Sequence, residues 1–235
     1  MKSESYTDLC RAYLYSSDLA EKDPARGLRK NGPVITISRA AGARGNSIAE
    51  ALVRRLECEK TVPRRRPWTL FNQNLIQYVI EEHKLPEKTA DYFPEDKPEE
   101  IRAFVAEVLG LHQGVYHTMI KTAETIRRIA RAGNAVIVGR GGNLITADIP
   151  GAVHIRLVGS EACRIRHYAG KLGISEAEAA GEVARLDLAR KRYIKTHFNK
   201  DIDDALHYDM VLNTDELTNE QAVDVIVAAI RAKLA

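Results

Sequence analysis

The chain has 235 residues, enough for one large α/β domain with a small accessory segment and a core that needs neither metal nor disulfide. Apolar residues make up 45% and charged residues 29%, and 35 Lys and Arg against 32 Asp and Glu leave a net charge of +3, too small to point to nucleic acid by itself. Cys10, Cys58 and Cys163 form no CxxC pair, no apolar run approaches the roughly 20 residues that span a bilayer, and residues 1–8 carry no signal-peptide pattern; a reducing, cytoplasmic compartment is expected.

In chain order, residues 6–22 read as an amphipathic helix with Tyr6, Leu9, Tyr13, Leu14 and Leu19 roughly on one face. A linker holding Pro24, Gly27 and Gly32 follows. Residues 1–32 thus form an extension, read as a helix folded back on the domain, with a docking or dimerisation arm as its other use. Residues 34–38 are a β-branched strand, followed by a glycine-containing loop and a helix with Ile48, Ala49, Leu52, Val53 and Leu56 on one face. Residues 68–71 are a second strand, 72–84 a helix, 86–98 a proline-rich acidic loop, and 99–132 a long helix stopped by Gly133. Residues 135–138 and 153–158 are the third and fourth strands. Helices over 160–172 and 175–196 follow, the second with Ser175 and Glu178 at capping-box spacing. Residues 208–212 are the fifth strand and 218–234 the closing helix. Strands alternating with helices predict an α/β fold, a parallel sheet covered on both faces.

In such sheets ligands bind outside the carboxyl ends of the strands. The loop from Ser38 to Ser47 opens a helix, where exposed N–H groups at the positive end of the helix dipole suit a phosphate. It lacks GxxxxGK[ST]: Gly45 falls at the lysine, Asn46 or Ser47 at the magnesium-binding hydroxyl, and Arg44 replaces the glycine before. A plain strand–turn–helix connection is the other reading of this loop taken alone. In Gly139-Arg140-Gly141-Gly142, an arginine at a strand end grips an anion with two parallel N–H bonds; the bland reading is a surface arginine in a turn. Arg164, Arg166, Arg185, Arg190 and Arg192, with Lys191 and Lys195, follow the fourth strand, and Asp187 stands i, i+3 from Arg190. Phosphoryl transfer needs positioned cations, which a mobile arginine-bearing lid supplies; a solvated basic helix is the alternative, and two or three of these arginines are expected to be functional. Arg64 to Arg66 and Arg127, Arg128 and Arg131 read as solvated faces without aromatics for base stacking. His112 and His117 are five apart, no HExxH is present and no metal site is expected. No GxSxG or Cys/His nucleophile pattern occurs.

Over roughly residues 33–234 these stretches together resemble the cytidylate kinase-like family. They are Ile35 to Arg39 with Gly42, Gly45, Ile48 and Ala49; Val136 to Gly141; His154 to Leu157; Asp187 with Arg190 and Tyr193; and Tyr208 to Thr214. The resemblance implies a three-layer P-loop kinase fold on a five-stranded parallel sheet. It implies a helical acceptor-binding insertion over about 68–132, an arginine-bearing lid over about 164–200, and ATP with Mg2+ as phosphoryl donor. By that likeness Arg39, Gly42, Ala43, Gly45, Asn46 and Ser47 cradle the donor phosphates, with Ser47 toward the magnesium. Arg164 and Arg166 lie near the donor, and Asn213 and Thr214 border its base. Arg140, Gly141 and Asn72 face the acceptor, and Arg190 is a lid arginine supported by Asp187, Arg192 and Tyr193. Besides the absent P-loop lysine and Arg44 in place of a small residue of the family loop, two positions depart from the family pattern: Gly141 stands where the family has Asp, and Asn72 where an acidic residue opens the acceptor helix. Arg39, Arg44 or Arg140 is expected to replace the missing lysine's charge, with Arg44, Arg140 and Arg190 as the catalytic set. The implied activity is ATP-dependent phosphoryl transfer to a nucleoside monophosphate such as CMP or another small hydroxyl- or phosphate-bearing acceptor. The alternative is a non-catalytic nucleotide-sensing or scaffolding protein on a kinase fold. Nucleic-acid binding rests only on scattered basic residues and no membrane partner is expected; the helix over 99–132 offers a homodimer interface, with packing inside the monomer as the simpler use.

Overall fold

The computed structural model describes residues 6–21, 32–72, 74–84 and 113–235. The loop over 86–98, the first part of the long helix and most of the linker expected from the sequence lie outside the described residues. The elements run α1 (Tyr6–Glu21), β1 (Val34–Arg39), α2 (Gly45–Cys58), β2 (Thr69–Phe71), α3 (Leu75–Glu82), α4 (Gln113–Ala132), β3 (Ala135–Val138), α5 (Gly142–Ile145), β4 (Ala152–Val158), α6 (Glu161–Leu172), α7 (Glu176–Phe198), β5 (Met210–Asn213) and α8 (Asn219–Leu234).

The strands form one five-stranded, all-parallel sheet in the order β2-β3-β1-β4-β5. Central β1 pairs with β3 and β4, so Ile35 sits between Val136 and Val153. Parallel strands covered on both faces read as continuous β-branched runs, and 34–37 and 135–138 are such runs. On one face α2 and α8 bury Ile48, Leu52, Leu56, Val223, Ile226 and Ile230 against Ile35, Ile37, Val136, Ile155 and Leu157. Truncating one of these, Leu52→Ala for example, costs about 2–5 kcal/mol.

On the other face α1, α3 and α4 bury Cys10, Tyr13, Leu14, Tyr78, Val79, Ile126 and Ile129 against Phe71, Ala135 and Ile137. The Tyr13 hydroxyl donates to the carbonyls of Gly133 and Ile129, its ring meets Phe71 edge-on at 5.1 Å, and the Arg66 guanidinium lies 4.8 Å from its centroid. The helix of the extension is therefore packed on the domain. Burial pushes the Cys10 thiol up to about 12, which keeps it inert at neutral pH.

That second face changes character toward β4. His154 and Arg156 alternate there with the apolar Val153, Ile155 and Leu157 of the opposite face. They meet Thr36 (Oγ1 to Nδ1, 2.9 Å) and Ser38 (3.0 Å) of β1. Among the described residues no helix is long and apolar enough to cross a membrane.

Several element bounds differ from the sequence reading by a few residues, and three differences stand out. The fifth strand starts at Met210, because the Asp209 carboxylate accepts the His154 N–H where a ladder residue would pair. The lid helix runs on to Phe198 and stops at Asn199, whose φ of 52° is left-handed. A one-turn helix, α5, follows β3 directly.

Candidate functional site

β1 leaves toward β2 and β4 toward β5, so their connections part in opposite directions and open a crevice at the carboxyl ends. The loop after β1 fills one side of it. Gly42 has φ +76°, and a Cβ there would lie 2.2 Å from the Arg164 carbonyl oxygen. A Cβ at Gly45 would lie 2.6 Å from Cγ of Arg39. Only glycine lets the loop press this closely on its neighbours. Arg44 then enters α2 in the left-handed region with φ 59° and provides no side-chain cap. An α-helix leaves its first N–H groups without intrahelical partners, so the start of α2 presents them outward.

The pocket in front of that helix end measures about 250 Å³. The loop lines it with Arg39, Ala40, Ala41, Gly42, Arg44, Gly45, Asn46 and Ser47, and α6 and α7 add His167, Tyr168, Lys171, Leu186 and Arg190. Arg39, Arg44, Lys171 and Arg190 are cations, and no carboxylate is in this lining. Burial, then Arg44 and Arg166, hold the His167 imidazole below its ordinary value. Exposed N–H groups, a dipole end and converging cations are the features that suit an anion. The Asn46 Oδ1 is a buried acceptor without a hydrogen-bond partner beside the Ser47 hydroxyl. An amide oxygen and a hydroxyl are ligands that fit a hard divalent cation riding on phosphates.

The walls of this pocket are braced by one ion pair and a set of hydrogen bonds. Asp187 of α7 accepts the Ala41 N–H at 2.7 Å and pairs with Arg164 at 2.6 Å. Arg164 of α6 also donates to the carbonyls of Ala41 (2.9 Å) and Gly159 (3.0 Å). Two lid helices are thereby tied to the loop after β1. Arg44 reaches the other way, donating to the carbonyls of Thr214 and Leu217 (the latter at 2.6 Å) and to Asn219 Oδ1 at 3.2 Å. Arg190 Nη1 donates to the Arg39 carbonyl at 3.3 Å.

The exit of β3 is a type I′ turn, with the Gly142 N–H on the Gly139 carbonyl at 3.0 Å and φ of 58° and 67° at Arg140 and Gly141. A left-handed arginine is a strained choice at a cost of order 1 kcal/mol, and such strain gathers at working sites. Arg140 is 7% exposed. A Cβ at Gly141 would stand 2.6 Å from the Phe198 ring, so the end of the lid helix occupies the volume an aspartate would need.

The sequence-picked residues thus divide. Arg39, Gly42, Arg44, Gly45, Asn46, Ser47 and Arg190 line one pocket, with Ala43 buried just behind it. Arg164 and Asp187 are its brace, and Asp187 meets Arg164 rather than serving only its own helix neighbour. Arg166 is exposed and donates to Cys163 Sγ at 3.0 Å. Arg192 is exposed, and Tyr193 packs on His197 and Phe198 with centroids 4.7 and 6.1 Å away. The Asn213 side chain accepts the Asp215 N–H, and Thr214 is buried with its hydroxyl on the Val158 carbonyl; Arg44 stands between this loop and the pocket. Asn72 receives the Asn74 N–H at 3.3 Å in the turn before α3. Sequence reasoning missed Lys171, His167, Tyr168 and Phe198, which only the packing of α6 and α7 brings to the pocket and to Gly141. It also passed over Arg156, whose signal was an arginine inside an apolar strand.

The model of the cytidylate kinase-like family matches residues 34–216. A cytidylate kinase of Methanothrix thermoacetophila is 29% identical over 107 residues, 45% of this chain and 60% of that protein. A uronate isomerase of Corynebacterium glutamicum is 32% identical over 98 residues, 42% of this chain and 19% of that protein. The chain thus spans less than two thirds of the curated relatives it matches. An uncharacterized protein from Eubacterium ventriosum superposes with a TM-score of 0.62 at 18% identity, over 84% of this chain and 98% of that one, a likeness of fold.

Proposed function

The chain belongs to the cytidylate kinase-like family, and on that premise we propose that it is an ATP-dependent phosphotransferase whose donor phosphates lie at the N-terminus of α2. The observation that carries this reading is the uncapped start of α2, opening into a pocket lined by four cations. Arg39, Arg190 and Lys171 take over the charge of the missing P-loop lysine. Arg44, engaged on the 214–219 loop, holds the far wall instead. A magnesium ion bound with ATP would neutralise phosphate oxygens, and Ser47 and Asn46 are the residues that would hold it.

The chemistry then rests on positioning and charge. The Asp187–Arg164 brace keeps α6 and α7 against the loop, so that Arg190 and Lys171 face the transferring group while water is excluded. An acceptor phosphate oxygen is already ionised at neutral pH, so the step demands no general base. Arg140 sits at the exit of β3, where it would orient an acceptor. Phe198 occupies the volume of the family's aspartate at position 141, which argues for an acceptor not gripped through a cytosine contact there.

The test incubates the purified chain with ATP, magnesium and a panel of nucleoside monophosphates and small phosphorylated or hydroxylated acceptors, following ADP release. Expected is saturable ATP binding and turnover on one acceptor, with Arg190→Ala lowering kcat/KM by roughly 10²-fold and Arg140→Ala raising the acceptor KM. ATP binding without any product would favour the sensing reading, and absence of ATP binding would end both.

A further inference from the structure

A cavity of about 420 Å³ opens on the flank of β4, between the segment that follows α5 and the turn over Ala205–His207. It shares no lining residue with the pocket in front of α2. Leu144, Ile149, Pro150 and Leu206 give it apolar walls, and Leu206 is 92% exposed. Its formal charges cancel, because Lys233 and Asp209 form an ion pair with each other. A volume above about 300 Å³, apolar walls and a few placed polar groups are the marks of a small-molecule site. With no arginine and no excess of cations in its lining, the cavity suits an uncharged ligand.

Two polar side chains of this lining have hydrogen-bonding capacity to spare. His154 is 8% exposed, and its Nδ1 lies 2.9 Å from Thr36 Oγ1. Thr36 is buried, and among the described residues Nδ1 is the acceptor within reach of its hydroxyl proton. A buried hydroxyl proton without an acceptor is costly, so Thr36 donates and Nδ1 accepts. Burial keeps the imidazole neutral at neutral pH, which puts its ring proton on Nε2. That N–H meets no acceptor among the described residues. Asn143 is 5% exposed, and its Nδ2 donates to the His207 carbonyl at 3.3 Å, which fixes Oδ1 at the other end of the amide. That oxygen likewise has no donor among the described residues. One cavity therefore holds a spare donor and a spare acceptor, each on a side chain more than nine-tenths buried.

We propose that this cavity binds an uncharged cyclic amide, whose ring carbonyl accepts from His154 Nε2 and whose ring N–H donates to Asn143 Oδ1. The apolar walls take the faces of the ring. Each spare group alone is an unmet cost in a buried place, and one small ring that carries both a carbonyl and an N–H meets both. The site stands apart from the phosphotransferase reading, since none of its residues lines the pocket in front of α2.

The experiment titrates the full chain, isotope-labelled at the histidine nitrogens, with 2-pyridone and with N-methyl-2-pyridone, which keeps the ring and the carbonyl but has no N–H. Binding is read by calorimetry and by the His154 Nε2 resonance in NMR spectra, alone and with a non-hydrolysable ATP analogue at saturation. Expected is a protonated Nε2 that shifts on saturable binding of 2-pyridone, whether or not the analogue is present. Affinity should fall about tenfold for N-methyl-2-pyridone and about tenfold for 2-pyridone in His154→Phe. Ala147→Trp, at an exposed position of the lining, fills the cavity and should abolish binding, and it keeps the test open if His154→Phe fails to fold. No binding of 2-pyridone, equal affinity for the N-methyl compound, binding unchanged in Ala147→Trp, or displacement by the analogue would overturn the proposal.

Discussion

Two groups of helix starts contrast among the described residues. α6, α7 and α8 begin at Ser160, Ser175 and Thr218, whose side chains accept a backbone N–H of the first turn; the last two form full capping boxes with Glu178 and Gln221. α2 and α5 begin at left-handed Arg44 and Gly141 without any side-chain cap. The capped ends satisfy their own N–H groups and serve stability. These two left-handed ends follow the carboxyl ends of β1 and β3, and the one at α2 keeps its first N–H groups open, as the proposed donor site requires. On the proposed reading the difference follows from use, because a cap on α2 would occupy the volume an anion needs.

The largest effect expected from breaking this contrast is at Gly42. Gly42→Val forces a Cβ against the Arg164 carbonyl in a backbone conformation that β-branched residues avoid. ATP binding by calorimetry is expected to disappear, and native-like circular dichroism with unchanged ATP affinity would contradict the placement of the donor at this loop.

Gly141→Asp restores the family residue at the second uncapped start but meets the Phe198 ring. A loss of about 2–4 kcal/mol in urea unfolding is expected from overpacking and left-handed strain. Pairing it with Phe198→Ala should return part of that loss, and no recovery would mean the clash is not the cause.

The capped ends are predicted to be smaller and purely structural. Ser175→Ala and Thr218→Ala should each cost about 1 kcal/mol and leave ATP affinity unchanged, measured by denaturant melts and calorimetry on the same samples.

A further contrast is read as a pH dependence. Burial pushes the His154 imidazole down to about 4, against an ordinary value of 6.5. Because its folded value lies below the unfolded one, the unfolded chain takes up the proton first. The stability this histidine contributes is complete above pH 6.5 and is lost as pH falls toward 4. His154→Gln should flatten that limb of the stability curve relative to the parent chain, and parallel curves would show that His154 does not titrate this way.

Much of this was legible in the chain itself. The β-branched runs at 34–37 and 135–138 announce buried parallel strands. Ser175 with Glu178 announces a helix start, and the spacing of Gly42, Gly45 and Arg140 from their strands announces the family. Local patterns of period and capping depend on neighbours in sequence, so they can be read there. The type I′ turn carrying Arg140 and the one-turn α5 after it were not legible, because their geometry depends on what packs above them.

What the sequence by itself determined is the order of strands and helices, the missing P-loop lysine and the supply of arginines around the crevice. Only the tertiary structure decided which arginine does what. Arg44 and Arg190 look alike in the chain, yet Arg44 is drawn to three acceptors at 214–219 while Arg190 lines the pocket in front of α2 from α7. A guanidinium's role is set by the acceptors within its reach, and those come from residues more than a hundred positions away.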